Sequence, residues 1–352
     1  MAIKITGSGC YIPTETVTNL DFARHQFLNE DGTPFPYSNE VVAEKFLEIT
    51  GIQERRYASD DLLTSDIATI AAQRAIADAG IDPETLDYII FAHNFGNVKK
   101  GAIQTDILPS LATRVKYDLK IKNPKCVAYD ILFGCPGWVE GVIQAYAFIK
   151  AGMAKKCLVI GAETLSRVVD IHDRDSMIYS DGAGATIIEE TEESGGILAH
   201  ETATFAHDEA YYLYFGNSFN KDHDPDVRYI KMYGRKIYEF ALSNVPKAMA
   251  ACLENSGLDI SQVKKVLIHQ ANEKMDEAII HRFFKLYKQS PPEGVMPMSI
   301  HKLGNSSVAT VPTLYDLLVK GQIENQELHP GDVVIFASVG AGMNINAIIY
   351  QL

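Results

Sequence analysis

One cysteine of this chain lies in a turn that could make it reactive. Cys135 follows Gly134 and precedes Pro136 and Gly137, between a short apolar run and a long helical pattern in residues 130–152, DILFGCPGWVEGVIQAYAFIKAG. Proline is tolerated in the first turn of a helix, where free N–H groups and the helix dipole stabilise negative charge. A thiolate there can have its pKa lowered from about 8.5 to about 3.5–7.5, which makes it a nucleophile. The alternative is a small, inert residue that fills a tight turn.

Two other loops could supply hydrogen-bond donors to a reacting carbonyl group. His269 follows the apolar run KKVLI and begins the stretch HQAN, and Asn305 lies in LGNSSVATVP just before a helical pattern. A histidine or an amide can donate a hydrogen bond to a carbonyl oxygen that gains negative charge. Each also has an ordinary structural interpretation. His269 could be a capping or hydrogen-bonded core histidine, and Asn305 could be a turn or N-cap asparagine.

The predicted elements place these three residues at comparable ends of strands. Residues 71–92 and 248–269 each predict a helix that ends at a glycine, followed by a polar stretch and a short buried strand. Ligands of doubly wound folds bind where strand carboxyl ends meet helix amino ends. Pseudo-twofold packing of two similar halves would therefore bring Cys135, His269 and Asn305 towards one pocket.

The alternation of strands and helices predicts an α/β fold with mostly parallel sheets and helices on their faces. The polar stretch EETEESGG, residues 189–196, lies between the similar halves. We therefore divide the chain into an N-terminal half, residues 1–190, with the cysteine, and a C-terminal half, residues 191–352, with the histidine and the asparagine. Residues 29–40 and 216–228 are rich in turn residues and are expected to form loops at the rim of the sheets.

Composition and charge narrow the classes of function. The 352 residues are 47% hydrophobic and carry a formal net charge of -13, whereas phosphate binding depends on lysine and arginine. We therefore expect no nucleic-acid partner. No apolar run approaches the roughly 18 residues that a membrane span needs, and the N-terminus predicts a strand and a turn, not a signal peptide.

The cysteine pattern favours a single reactive thiol. Five scattered cysteines without a Cys-x-x-Cys spacing are a poor basis for a disulfide framework or a zinc site. We expect no metal site and a location in the reducing cytoplasm. The other four are expected to be inert residues inside strands or helices: Cys10, Cys126, Cys157 and Cys252.

Five short motifs occur along the chain in a recognisable order. They are GCPGW, SDGAGA, HQAN, GNSS and GAG, at residues 134–138, 180–185, 269–272, 304–307 and 340–342. This set resembles the ketoacyl-ACP synthase III branch of the thiolase superfamily over nearly the whole chain. The resemblance implies a thiolase-like, five-layered αβαβα fold of two pseudo-repeated halves, and a homodimer.

The resemblance also implies a mechanism built on a triad of Cys135, His269 and Asn305. Cys135 would take an acyl group from a thioester, while the backbone N–H groups of Cys135 and Ala341 hold the oxyanion. His269 and Asn305 would stabilise the enolate that forms when malonyl-ACP loses CO₂, and the carbanion would attack the acyl-cysteine. The implied activity is that of an acyltransferase, a β-ketoacyl-ACP synthase III of fatty-acid or related lipid or polyketide biosynthesis. No bound cofactor is implied, because the phosphopantetheine of acyl carrier protein or CoA carries the acyl groups.

Several positions bear on which substrates would bind. Lys45 and Ile49 stand where simple initiating members carry a tryptophan and an arginine that grip CoA, which favours acyl carrier protein as the acyl donor. Leu108 stands where a phenylalanine from the dimer partner shapes the acyl pocket, so that a longer or branched chain could fit. Arg235 and Lys274 match basic positions that dock the acidic carrier protein, although a solvated helix face would also explain them.

The same residues fit other activities of the superfamily. One is a pathway-specific condensation of an acyl group with a β-ketoacyl thioester, as for alkylresorcinol or cyclohexanedione lipids. Another is transfer of the acyl group to oxygen or nitrogen without decarboxylation. A third is an inactive subunit that binds acyl groups or partners without turnover. The complete set of Cys135, His269 and Asn305 argues against that third function.

Overall fold

The helices and strands follow the apolar periods of the sequence. A computed structural model of the chain describes residues 1–102 and 104–352. The elements are β1 (Ala2–Tyr11), β2 (Glu15–Thr18), α1 (Asn39–Thr50), β3 (Glu54–Tyr57), α2 (Thr64–Ala79), β4 (Tyr88–Ala92), α3 (Leu111–Asp118), β5 (Val127–Ile131), α4 (Gly137–Lys150), β6 (Lys156–Thr164), β7 (Asp181–Thr191), β8 (Gly196–Thr204), β9 (Leu213–Gly216), β10 (Tyr229–Met232), α5 (Gly234–Ser256), β11 (Val263–Ile268), α6 (Glu273–Leu286), α7 (Ile300–Leu303), α8 (Thr310–Val319), β12 (Val333–Gly340) and β13 (Asn344–Gln351). The predicted helix ends at Gly80 and Gly257 are confirmed, since both glycines adopt the left-handed conformation that closes a helix.

Two sheets form the body of the protein, and both are mixed. One has the strand order β1-β7-β6-β4-β5 and the other has the order β11-β12-β13-β8. Only the pairs β4-β5, β4-β6 and β11-β12 of these two described sheets are parallel. The prediction of mostly parallel sheets is therefore wrong. Residues 341–343 join β12 to β13, and such a short link cannot make the crossover that parallel strands require.

Helices cover both sheets and fill the space between them, which confirms the predicted αβαβα layering. Helices α2 and α3 pack on the outer face of the first sheet, and α5 and α6 pack on the outer face of the second. Helices α4 and α8 lie between the sheets, where Trp138 contacts Phe336 edge to face at 5.6 Å between ring centroids. Because α4 and α8 are buried on both sides, the loops at their amino ends are held firmly.

A hairpin that the sequence did not predict lies over the carboxyl ends of the strands. Strands β9 and β10 pair in antiparallel fashion, and the loop between them occupies most of the predicted segment 216–228. Lys231 of β10 is buried and forms ion pairs with Asp170 at 2.7 Å and with Asp173 at 2.9 Å. These two ion pairs hold the hairpin against the first half of the chain, because separating them would leave buried charges without a partner.

Two smaller predictions need adjustment. The segment 29–40 is a loop only up to residue 38, because α1 begins at Asn39. Cys126 is buried but lies one residue before β5, whereas the sequence placed it inside a strand. None of the described helices combines the length and the hydropathy that crossing a bilayer would require.

Candidate active site

The turn that carries Cys135 is held against the turn that follows β12. A Cβ atom on Gly134 would lie 2.6 Å from the Ala341 nitrogen, and one on Gly340 would collide with the Cys135 nitrogen. Gly134 also has a φ of 66°, which favours glycine. These two glycines therefore allow the backbones of the two turns to touch, one turn from each half of the chain.

The close approach places two backbone amides beside the thiol. Cys135 precedes Pro136, the N-cap of α4, and Ala341 begins the short turn after β12. In the described part of the chain, neither amide donates a hydrogen bond to an acceptor of another residue. Two free donors in a protected site are the arrangement that an oxyanion needs.

His269 lies at the carboxyl end of β11 and is almost fully buried. Its backbone N–H donates to the Ala337 carbonyl at 2.9 Å, and the next residue, Gln270, holds the loop before α7 through Pro297 and Ser299. Burial lowers the pKa of His269 to about 4, so the imidazole is neutral at pH 7. Its Nδ1 atom has no hydrogen-bond partner among the described residues. A hydrogen-bonded core histidine does not match this environment.

Asn305 is fixed by both its backbone and its side chain. Its N–H donates to Ile178 at 3.0 Å and its carbonyl accepts from Ser180 at 2.8 Å, so the SDGAGA segment anchors it. Its Oδ1 accepts from the Ser307 backbone N–H at 2.8 Å, which leaves the amide Nδ2 as a donor. The N-cap of α8 is Ala309, so Asn305 does not have the N-cap position that was one of its structural alternatives. Its bond to the Ser307 N–H, two residues on, is the turn bond of the other alternative.

Cys135, His269 and Asn305 line one large cavity of about 810 Å³. Ala341 and Arg235 line it as well. Most of the remaining wall is apolar or aromatic and includes Phe35, Phe46, Phe95, Leu165, Ile178, Leu213, Phe215, Ile230, Met232 and Ile237. The hairpin of β9 and β10 supplies part of this wall. The cavity has the size and character of a small-molecule site with a few polar groups at one place.

The residues predicted to bear on substrate choice lie in different places. Lys45 and Ile49, both on α1, line the cavity, and Lys45 Nζ lies 4.3 Å from the ring centroid of Tyr37. Leu108 lies outside this cavity and is 88% exposed. It therefore does not shape the pocket of its own chain.

Two basic residues flank the cavity from the second half. Arg235 lines it at the start of α5, with an exposed side chain that pairs with Glu239 at 2.9 Å. Lys274 lies in the first turn of α6, two residues after the lining residue Asn272, and approaches Glu48 at 3.6 Å. Both ion pairs are exposed and of little energetic consequence, so these cations are available to a partner.

The thiol of Cys135 does not have the lowered pKa that its place before a helix predicts. Burial raises the pKa of Cys135 to about 11, and the nearby Glu163 carboxylate contributes to the increase. A hydrogen bond from Ser307 Oγ, 3.4 Å from Cys135 Sγ, acts in the opposite direction. The prediction from sequence counted the helix dipole but not the desolvation by an apolar cavity.

Three polar residues next to Cys135 were not predicted. Ser307 lies within GNSS, although only Asn305 of that motif was chosen. Asn94 lies two residues after β4, and it is His93 that follows the apolar run directly, as His269 follows β11. Glu163 is a charged residue inside the apolar strand β6, which is a signal of function because such residues are rarely buried.

Comparisons with known proteins identify a family over most of the chain. Residues 129–205 match the sequence model of 3-oxoacyl-(acyl-carrier-protein) synthase III, and residues 253–352 match that of its C-terminal part. A beta-ketoacyl-(acyl-carrier-protein) synthase III from Erythrobacter litoralis is 32% identical over 97% of both chains. One from Bacillus pumilus is 32% identical over 99% of this chain and 98% of its own. The crystal structure of 3-oxoacyl-(acyl-carrier-protein) synthase III from Aquifex aeolicus is 30% identical, with a TM-score of 0.80 and 100% of both chains covered.

The burial of neutral His269 predicts a pH dependence of stability. Its folded pKa of about 4 lies below the ordinary value of 6.5, so only the unfolded chain takes up the proton as the pH falls between these values. We therefore expect the free energy of unfolding to fall by about 2 kcal/mol more in the wild type than in His269→Gln between pH 7.5 and pH 5. Urea titrations at both pH values measure this difference.

The control for that experiment is His207→Gln, because the His207 side chain is almost fully exposed. It should follow the wild type at both pH values. Equal losses of stability in the wild type and in His269→Gln would contradict the account of a buried neutral imidazole.

Proposed function

This acyltransferase belongs to the 3-oxoacyl-(acyl-carrier-protein) synthase III family, and we propose that it condenses an acyl group with malonyl-ACP through an acyl-Cys135 intermediate. The observation that carries the proposal is the convergence of Cys135, His269 and Asn305 on one cavity. The relatives that support it are those named beta-ketoacyl-(acyl-carrier-protein) synthase III.

The first half-reaction transfers the acyl group to the cysteine. The Cys135 thiolate attacks the carbonyl carbon of the acyl thioester, and the N–H groups of Cys135 and Ala341 stabilise the tetrahedral oxyanion. The carbon–sulfur bond to phosphopantetheine then breaks. The departing thiolate takes up one proton, which balances the proton that Cys135 gave up. The product is a thioester on Cys135 and a free phosphopantetheine thiol.

The second half-reaction makes the carbon–carbon bond. His269 and the Asn305 amide donate hydrogen bonds to the thioester carbonyl of malonyl-ACP, so that negative charge can develop there. The bond to the malonyl carboxylate breaks, CO₂ leaves, and its electron pair forms the enolate. The enolate carbon attacks the acyl-Cys135 carbonyl, and the cysteine thiolate departs. A neutral His269 suits this role because it keeps one ring N–H to donate, whereas an imidazolium would be acidic enough to protonate the carbanion.

The cavity supports an acyl carrier protein as the source of the acyl group. Lys45 and Ile49 line the cavity on α1, at the two positions where a tryptophan and an arginine would grip a nucleotide. Arg235 and Lys274 present exposed positive charge beside it, which complements an acidic carrier protein.

A β-ketoacyl thioester is the alternative acceptor, and analysis of the products formed from malonyl-ACP and β-ketoacyl-ACP separates the two reactions. Cys135 must stay reduced to react, as the cytoplasm would allow.

The proposal includes a homodimer that brings Leu108 to the partner's pocket. Strand β5 is at the edge of its sheet, and an edge strand offers unpaired backbone groups to another chain. Exposed apolar side chains lie in and around it, namely Ile107, Leu108, Tyr117, Val127 and Leu132. A cluster of this kind is typical of a subunit interface.

We also propose that the chain arose from two fused halves, residues 1–190 and 191–352. The strands of the first described sheet lie within residues 2–191 and those of the second lie within residues 196–351. Each half contributes to the cavity, with Cys135 from the first and His269 and Asn305 from the second.

The acyl-enzyme is the step to test first. Purified protein is incubated with a panel of acyl-CoA and acyl-ACP donors, and intact mass is measured. We expect one acyl group on the wild type and none on Cys135→Ala, because the thiolate is the nucleophile. Cys252→Ala is the matched control, since Cys252 is buried in α5 and does not line the cavity, and it should be acylated like the wild type. Persistent acylation of Cys135→Ala would overturn the proposal.

Docking of the carrier protein can be tested separately. Arg235→Glu and Lys274→Glu should each raise the KM for malonyl-ACP by about tenfold, with a smaller effect at high salt, because they repel an acidic partner. Steady-state kinetics with varied malonyl-ACP measure this. Lys285→Glu reverses a charge at the other end of α6 and should leave KM unchanged. If all three variants keep the wild-type KM, these residues do not dock the carrier.

A further inference from the structure

A chain of polar contacts leads away from the nucleophile into the protein. Ser307 Oγ lies 3.4 Å from Cys135 Sγ, and Asn94 Nδ2 lies 3.3 Å from Ser307 Oγ. Asn94 Nδ2 also lies 2.8 Å from Glu163 Oε1. Glu163 lies in β6, Asn94 in the loop after β4 and Cys135 in the turn before α4, all in the first half of the chain. Ser307 lies in the loop before α8, in the second half, so the contacts join both halves.

The side-chain amide of Asn94 sets the direction of the hydrogen bonds on both sides of it. A side-chain amide has two N–H groups, so Asn94 can donate both to Ser307 Oγ and to Glu163 Oε1. The hydroxyl of Ser307 has a single proton. Because its oxygen already accepts from Asn94, that proton is free to point at Cys135 Sγ.

Glu163 holds Asn94 in the orientation that this requires. Its Oε1 accepts from both the backbone N–H and the side-chain Nδ2 of Asn94. Only 1% of Glu163 is exposed, and its Oε2 has no hydrogen-bond partner within the described residues. Among the described residues, the groups that act on its charge are His93, Asn94 and Asp181, and no lysine or arginine is one of them. A buried carboxyl group without a cation is costly to stability, so a role at the site is the better explanation.

We propose that Ser307 is a further catalytic residue, which donates a hydrogen bond to the Cys135 thiolate, and that Asn94 and Glu163 are positioning residues that keep its hydroxyl turned towards the sulfur. The proposal rests on the proposed role of Cys135 as nucleophile and deepens it. The buried thiol needs such a donor, because the apolar cavity that receives the acyl chain disfavours the thiolate.

The charge on Glu163 gives the arrangement a characteristic pH dependence. Burial raises the pKa of Glu163 to about 7, so the carboxyl group is neutral below that pH and charged above it. When charged, it disfavours the thiolate of Cys135. Other titratable groups that face Cys135 or Glu163 are Tyr179, His269, His93 and Asp181.

The test is the rate of Cys135 alkylation by iodoacetamide, followed by intact mass between pH 5.5 and 9. This reaction needs neither an acyl donor nor a carrier protein, so it distinguishes a failure of this proposal from a failure of the proposed condensation. We expect Ser307→Ala and Ser307→Gly to react about tenfold more slowly throughout, which is the effect of losing one hydrogen bond to a charged atom. Asn94→Ala should be slowed in the same direction, because Ser307 loses its orientation.

Glu163→Gln should behave differently, because it keeps an oxygen to accept from Asn94 but has no charge. Its alkylation rate should equal that of the wild type below about pH 6. The ratio of the two rates should rise through pH 7, where the wild-type carboxyl group ionises, and level off above about pH 8. A purely structural residue would not produce a ratio that changes with pH around 7.

The controls are Cys135→Ala, which gives the background, and Ser306→Ala. Ser306 is the neighbouring buried serine, and its hydroxyl pairs with Thr310 instead of Cys135, so Ser306→Ala should react like the wild type. Alkylation of Ser307→Ala and Ser307→Gly at the wild-type rate would overturn the catalytic role of Ser307. A constant ratio between Glu163→Gln and the wild type across the pH range would overturn the role of Glu163.

Discussion

The site depends on one close backbone contact between the two halves of the chain. The turn before α4 and the turn after β12 touch where Gly134 faces Ala341 and Gly340 faces Cys135. Side chains at either glycine would separate them. Because α4 starts between the sheets and β12 belongs to the second sheet, this contact fixes the amides of Cys135 and Ala341 relative to the rest of the cavity.

A second constraint follows from the position of the proposed nucleophile, Cys135, in an apolar cavity. An apolar wall suits an acyl chain and strengthens every hydrogen bond to a developing oxyanion. The same wall raises the pKa of the Cys135 thiol and lowers that of His269. For the proposed role of His269 the effect is useful, because a neutral imidazole keeps one N–H to donate to the thioester carbonyl. For Cys135 it is unfavourable, and Ser307 and the amino end of α4 offset part of the cost.

The sequence was informative where a local pattern determines the structure. The spacing of apolar residues, together with the positions of glycine and proline, predicts the helix that ends at Gly80, the strand before His269 and the turn at Cys135. The positions of His269 and Asn305 on one cavity wall could be expected from the doubled order of elements and from the family resemblance.

The sequence was uninformative where distant residues decide the outcome. The antiparallel pairing of β12 with β13 depends on the three-residue turn 341–343. Two of its residues belong to the GAG motif, which was interpreted as part of the site and not as a hairpin turn. The hairpin of β9 and β10 has four residues in each strand, too few for a periodic signal, and Lys231 finds its two aspartates only after folding. The pKa of Cys135 depends on burial by residues from many segments, which no local pattern records.

The central claim is that Cys135 carries the acyl group while His269 and Asn305 activate the second substrate. Its most direct measurement starts from enzyme that is already acylated on Cys135 and freed from donor, to which malonyl-ACP is added. Intact mass of the enzyme and of the carrier protein is followed with time. The wild type should lose its acyl group and yield 3-oxoacyl-ACP, whereas His269→Ala and Asn305→Ala should stay acylated, each about 10²–10³-fold slower in discharge. Discharge of the two variants at the wild-type rate would contradict the account.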